Sequence, residues 1–68
     1  MKPLTHWAIH HQQKLRIAGH SAVEIWGLLV AIDGSVRPFR YLLEARSLAI
    51  GEGEASHVLQ LDEYGYEQ

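Results

Sequence analysis

The stretch Trp26-Gly-Leu-Leu-Val-Ala-Ile-Asp-Gly-Ser-Val-Arg-Pro-Phe-Arg-Tyr-Leu-Leu43 sets two apolar runs on either side of Asp33-Gly34, and its reading decides the fold. As strands, residues 23–32 and 35–44 form a hairpin closed by a two-residue turn. Gly accepts positive φ there, and Asp tolerates it better than most residues. That register sets Trp26 opposite Tyr41 and Leu28 opposite Phe39, on one face with Val30 and Ile32. Aromatic and aliphatic cross-strand pairs of this kind stabilise sheets. Pro38 cannot donate to a ladder and must then face an edge or a bulge.

The same residues also fit helices. Ser21-Ala-Val-Glu24 has the form of a capping box opening a helix that ends at Asp33-Gly34. Ile25, Leu28, Leu29 and Ile32 then share a face, and Ser35 caps a further helix with Pro38 in its first turn. Phe39, Leu42, Leu43 and Leu48 follow at roughly helical spacing, Arg40 and Glu44 make an i,i+4 pair, and Leu42-Leu-Glu-Ala-Arg46 favours helix by propensity. Against this, residues 22–32 would be apolar on nearly every side, and so small a protein can hardly surround such a helix. The hairpin is the preferred reading.

Outward from this segment, residues 46–51 and 54–61 pair as a second, weaker hairpin across Gly51-Glu-Gly53. Upstream, Leu4, Trp7, Ala8, His11, Leu15 and Ala18 recur at three- and four-residue spacing and predict an amphipathic helix over about 5–16. Thr5 is its N-cap and Gly19 its stop. Asp62-Glu-Tyr-Gly-Tyr-Glu-Gln68 reads as a frayed acidic tail. The expected fold is therefore α+β, with the helix packed on an antiparallel meander of three or four strands. An all-α, three-helix arrangement of helix-turn-helix type is the alternative.

Sixty-eight residues make one small domain. A chain of this size buries only about 60% of the surface its unfolded state exposes. It contains no cysteine, which excludes disulfides, thiolate metal sites and a Cys nucleophile. Small domains draw extra stability from disulfides, metals or partners, so association is expected, as a homodimer or with another protein. The apolar fraction of 47% is that of a folded domain. Met-Lys-Pro-Leu-Thr-His-Trp7 lacks the apolar core of a signal peptide, and Ala22–Ile32 is far short of the ~20 residues of a membrane span. A soluble, cytoplasmic protein is expected. Residues 1–50 hold all six bases against three acids, while residues 51–68 hold five acids and no base. Such asymmetry permits a nucleic-acid partner without requiring one.

Two fragments resemble known families. Trp26–Asp33 with Arg37-Pro-Phe-Arg40 resembles the central strands of WYL domains, small Sm-like barrels of bacterial regulators. Gly27 stands where that family has Tyr, and the connection before the arginine is shorter. Ser35-Val-Arg-Pro-Phe-Arg-Tyr41 resembles the second helix of MerR-like helix-turn-helix domains. Pro38 replaces the usual Thr there, and the segment after Tyr41 carries an insertion. The two resemblances imply incompatible folds.

Few residues carry chemistry. His6 and His10 lie four apart on the predicted helix and can offer two imidazoles to zinc or nickel, with His20 or His57 as a third ligand. No Glu follows His6, as a metalloprotease helix requires. The serines lack a nucleophile-elbow context, and the carboxylates of Gly51-Glu-Gly-Glu54 would repel a phosphate. No catalytic set and no cofactor site emerge, so a non-enzymatic protein is expected. Arg37, Arg40 and Arg46 are the only basic cluster. On a helix Arg37 and Arg40 would reach phosphates or guanine edges together, whereas on a strand they face opposite ways.

The expected function is that of a small protein-binding regulator, adaptor or inhibitor, of the kind carried by phages and mobile elements. Trp7, Trp26, Phe39 and Tyr41 are its candidate anchors, with the core as the competing role for Trp26 and Phe39. A nucleic-acid-binding regulator using Arg37, Arg40 and Arg46 is the first alternative, and a histidine metal protein the second. If Arg37 and Arg40 share a face, the nucleic-acid reading leads. If they do not, the protein partner does.

Overall fold

The computed structural model describes residues 3–68, in the order α1 (Pro3–His10), β1 (Gln13–His20), β2 (Glu24–Ala31), β3 (Val36–Leu42), β4 (Ser47–Ile50), a 3-10 turn at Gly53–Ala55, and β5 (His57–Gln60). The strands form one antiparallel sheet in the order β1-β2-β3-β4-β5. The fold is α+β, with five strands where three or four were expected. Ser35–Tyr41 is turn and strand, so the three-helix alternative and the MerR-like resemblance both fall.

The helix is shorter than the 5–16 expected. It begins by Pro3, where a missing N–H costs nothing, and Thr5 lies inside it rather than at its cap. It closes where His11 N–H donates to Trp7 O (3.0 Å) and Gln12 N–H to Ile9 O (3.0 Å), with Gln12 in the left-handed region at φ 57. Beyond it, Lys14-Leu-Arg-Ile17 alternates polar and apolar, the period of a half-buried strand, and it becomes β1.

Ser21 starts a tight turn instead of a helix. Its Oγ accepts the N–H of Glu24 (3.0 Å) as in a capping box, but also that of Val23 (3.2 Å), and its own N–H donates to Glu24 O (2.8 Å). The chain therefore reverses into β2. Between β1 and β2 the register slips, because Ile17 opposes Gly27 while Gly19 opposes Trp26, leaving Ala18 as the extra residue of a β-bulge. Gly27 makes this close passage possible, since a Cβ there would overlap the Arg16 carbonyl oxygen and crowd the Ala18 nitrogen.

The Asp33-Gly34 hairpin forms, but with a three-residue loop. Ala31 N–H donates to Ser35 O (2.9 Å), Gly34 N–H donates to Ala31 O (3.0 Å), and Gly34 takes φ 90. The Asp33 carboxylate fixes this loop by accepting the Ser35 N–H (2.9 Å) and hydroxyl (2.7 Å). Ile32 is consumed by the turn. Trp26 consequently opposes Arg40, Gly27 opposes Phe39 and Leu28 opposes Pro38, one residue away from the expected register. A slip of one residue turns every side chain to the other face. Pro38 is accommodated because its carbonyl accepts Gly51 N–H (2.8 Å) just past the end of β4, where the ladder needs no further donor.

The core lies on the inner face of the sheet under the helix. Leu4, Trp7 and Ala8 pack on Ile25, Leu29, Phe39, Tyr41, Leu48, Ile50, Leu59 and Leu61. Residues 62–68, expected to fray, fold back instead. Asp62 N–H donates to Tyr66 O (2.9 Å), its carboxylate accepts the N–H of Tyr64 (2.9 Å) and Tyr66 (3.0 Å), and Gln68 N–H donates to Gln60 O (3.0 Å).

Candidate functional site

Alternation along the strands gives this sheet two unlike faces. The outer face presents Trp26, Leu28 and Val30 of β2, Val36 and Pro38 of β3, Ala49 of β4 and Val58 of β5. Pairing joins them into rows: Trp26 lies beside Arg40, then Ala49, then Val58, while Leu28 lies beside Pro38 and Val30 beside Val36. The larger of these side chains keep much of their surface in solvent, 39% for Trp26, 41% for Leu28, 53% for Val36 and 59% for Val58. Isolated exposed apolar residues are ordinary, but a contiguous group marks an interaction surface.

The indole of Trp26 is seated by Gly19. A Cβ on Gly19 would run into its six-membered ring, so the ring packs directly on the edge strand's backbone. Lys14 and Arg16 flank the patch on outward positions of β1, opposite Val30 and Leu28. Arg40 stands within it, its Nε 3.9 Å from Glu24 Oε2, the one acid on this face among the described strands.

The inner face is apolar beneath the helix and becomes polar at one end. There Gln13, Ser35, Arg37 and His57 border a cleft of about 370 Å³, open to solvent and walled by Trp7, Leu29, Ile50 and Leu59. His11 and Glu67 close one side, His11 Nε2 lying 3.8 Å from Glu67 Oε2 and tying the C-terminal turn to the end of the helix. The Trp7 indole N–H is buried and, among the described residues, has no hydrogen-bond acceptor.

The residues singled out from sequence are dispersed. Trp7 and Tyr41, expected as partner contacts, are 2% and 1% exposed and belong to the core, as does Phe39. Burial also pushes the Tyr41 phenol above its ordinary range, with the nearby Arg46 acting weakly the other way. Arg37 borders the inner cleft, Arg40 lies on the outer face, and Arg46 sits exposed in the β3–β4 turn at φ 52. Arg37 and Arg40 thus point to opposite sides of β3. His6 and His10 both pack on Tyr66, with ring centroids 6.1 Å apart in each case, and His10 meets His11 edge-on at 5.1 Å. Their role in the structure is to seat the C-terminal turn. Among the described residues no group of three His, Asp or Glu is placed to hold a metal ion, and no helix is long and apolar enough to cross a membrane.

The expected register sets Trp26 and Leu28 on one face with Val30 and Ile32 and offers Trp26 as an anchor, but it does not mark Leu28, Val36 or Val58 as exposed. The signal that locates Trp26 and Leu28 is Asp33-Gly34-Ser35, whose side-chain hydrogen bonds select the three-residue loop. Neither family resemblance finds support beyond the fragments that suggested it: the chain matches no family model, no curated protein and no solved structure.

Proposed function

We propose that this chain is a small non-enzymatic binding module, a regulator, adaptor or inhibitor of the phage or mobile-element kind, and that its partner is another protein docked on the outer face of the sheet. The observation that carries this is the joined row of exposed apolar side chains around Trp26 and Leu28, on a chain whose core is already filled from the other side. An exposed aromatic seated on backbone, with Leu28 next to it on the same face of its strand, has the form of an interface anchor.

Charge defines the partner further. Lys14, Arg16 and Arg40 against Glu24 leave the outer face cationic on a chain of net charge −2. A second copy related by a two-fold axis would set these cations against themselves. That favours, over the homodimer expected from chain length, a partner presenting an apolar ridge edged by carboxylates. A cytoplasmic setting belongs to the same proposal, since a cysteine-free sheet domain needs no oxidising compartment.

The test is capture by the full-length chain from its source cells, compared across variants whose circular dichroism and melting match the parent. Trp26→Ala and Leu28→Glu should each lose the captured protein, a cost of about 2 kcal/mol or more at an anchor, while Arg37→Gln keeps it. Equal capture by all variants would remove the outer face from the proposal. Retention of single-stranded DNA that fades steeply with salt and requires Trp26 would move the assignment to nucleic acid, using the indole as a stacking platform between Arg16 and Arg40.

A further inference from the structure

We infer that the cleft at the polar end of the inner face is a binding site for a small organic acid, with Arg37 and the Trp7 indole N–H as donors to its carboxylate and the apolar wall receiving its body. This site is separate from the outer-face patch and stands or falls independently of it.

Three observations carry the assignment. Arg37 occupies an inward register position, opposite buried Leu29 and two residues before buried Phe39, and its own side chain stays exposed on the border of the cleft. Among the described residues it makes no ion pair. The nearby Asp33 carboxylate is held by the Ser35 N–H and hydroxyl, and Arg37 influences it only weakly.

Second, Trp7 lines the same cleft, is 2% exposed, and among the described residues its N–H lacks an acceptor. Leaving a buried donor unpaired costs about 1–3 kcal/mol, which an acceptor on a ligand would remove. A tryptophan used only for packing could be replaced by a residue without that penalty.

Third, the cleft suits a monoanion with an apolar body. Its volume of about 370 Å³ falls at the low end of the range for small-molecule sites, about 300–1,000 Å³. One wall is made by Trp7, Leu29, Ile50 and Leu59, and the polar groups gather at the mouth. Arg37 is the one Lys or Arg in the lining, and a single planar guanidinium matches a carboxylate's two oxygens. Glu67, beside His11, would oppose a more highly charged group such as phosphate.

The two tryptophans provide the readout, since their indole N–H signals in a ¹⁵N-labelled chain report the two faces separately. Titration with sodium benzoate or sodium hexanoate at constant ionic strength should shift the Trp7 signal saturably and leave that of Trp26 in place. Arg37→Gln should weaken the binding by about tenfold or more, the worth of a hydrogen-bonded charge. Arg40→Gln and Leu28→Glu should leave it unchanged. Absence of a saturable Trp7 shift with both acids would overturn the inference. So would equal binding by Arg37→Gln, or inorganic phosphate binding more tightly than either acid.

Discussion

The two faces of this sheet are built from similar apolar side chains, yet only one of them is covered. The inner set, from Ile25 and Leu29 through Phe39 and Tyr41 to Leu48 and Leu59, is closed by an eight-residue helix and the returning C-terminal turn. The outer set, from Trp26 and Leu28 through Val36 to Val58, has no such roof. The difference lies in what covers each face: the described residues hold one short α-helix, and it lies on one side. Stability is thus concentrated on the inner face, and the outer one is left free for the proposed partner.

The hardest blow to this arrangement is expected at Gly27, where the inner face has closed down to backbone. Gly27→Ala places a methyl against the Arg16 carbonyl and the Ala18 nitrogen, neither of which can rotate away. The expected cost is about 3 kcal/mol or more, comparable to the whole stability of a domain this size. Urea unfolding should find the variant largely unfolded. Gly34→Ala is the control, because a Cβ there meets open space and only the φ of 90 is strained, for about 1–2 kcal/mol. Equal midpoints for Gly27→Ala and the parent would show that β1 and β2 do not pass so closely.

The contrast between faces is sharpened by truncating one leucine on each. Leu48→Ala empties a fully buried site and should cost about 2–5 kcal/mol, whereas Leu28→Ala should cost under about 1 kcal/mol in the isolated chain. If Leu28→Ala is as damaging as Leu48→Ala, and the melting temperature depends on protein concentration, the outer face is covered by a second copy. That outcome would replace the heterologous partner with a homodimer.

How much of this was legible in the sequence depends on which residues carried the signal. The α+β class was legible because residues 22–32 are too apolar for a surface helix, and because Asp33-Gly34 punctuates them. The second hairpin across Gly51-Glu-Gly53 was legible for the same reason. The helix end was misplaced because Leu15 and Ala18 continue the spacing of Trp7 and His11, even though Lys14-Leu-Arg-Ile17 also alternates as a strand does. The register of β2 on β3 was the costliest miss. Trp26, Leu28, Val30 and Ile32 are as apolar as Ile25, Leu29 and Ala31, so hydrophobicity could not say which set points inward. The three-residue loop accompanies the observed register, and burial of Ile25, Leu29, Phe39 and Tyr41 beneath the helix holds it. The cleft was invisible for a different reason: Arg37, His57 and Trp7 are far apart in sequence and meet only through the sheet's register.

High pH should weaken the inner face selectively. Tyr41 is buried, so its phenol ionises at a higher pH in the folded than in the unfolded chain. The folded state keeps the proton that the unfolded state gives up. Its stabilising contribution is whole below the unfolded value near 10 and declines as pH rises toward the folded value. Melting temperature measured from pH 8 to 11 should fall at the alkaline end. Tyr41→Phe should flatten that fall, and an unchanged slope would remove Tyr41 from the account.

The smallest effect is expected at the Asp33–Ser35 turn. The Asp33 carboxyl is held below its ordinary range, first by the Ser35 N–H and then by the Ser35 hydroxyl, with a weaker pull from Arg37. The folded state favours the ionised form, so this contribution is present above the unfolded value near 3.8 and is lost as pH falls through the lower folded value. Two variants separate charge from hydrogen bonding. Asp33→Asn keeps a side-chain oxygen that can accept the Ser35 N–H, so it should preserve the half-exposed Trp26 while losing part of the acid dependence below about pH 4. Asp33→Ala loses both, yet the register should still hold, because a one-residue slip would expose Ile25 and Leu29. Trp26 fluorescence and its quenching by iodide read the outcome. A blue-shifted, protected Trp26 in Asp33→Ala would mean that the turn alone had chosen which face becomes the core.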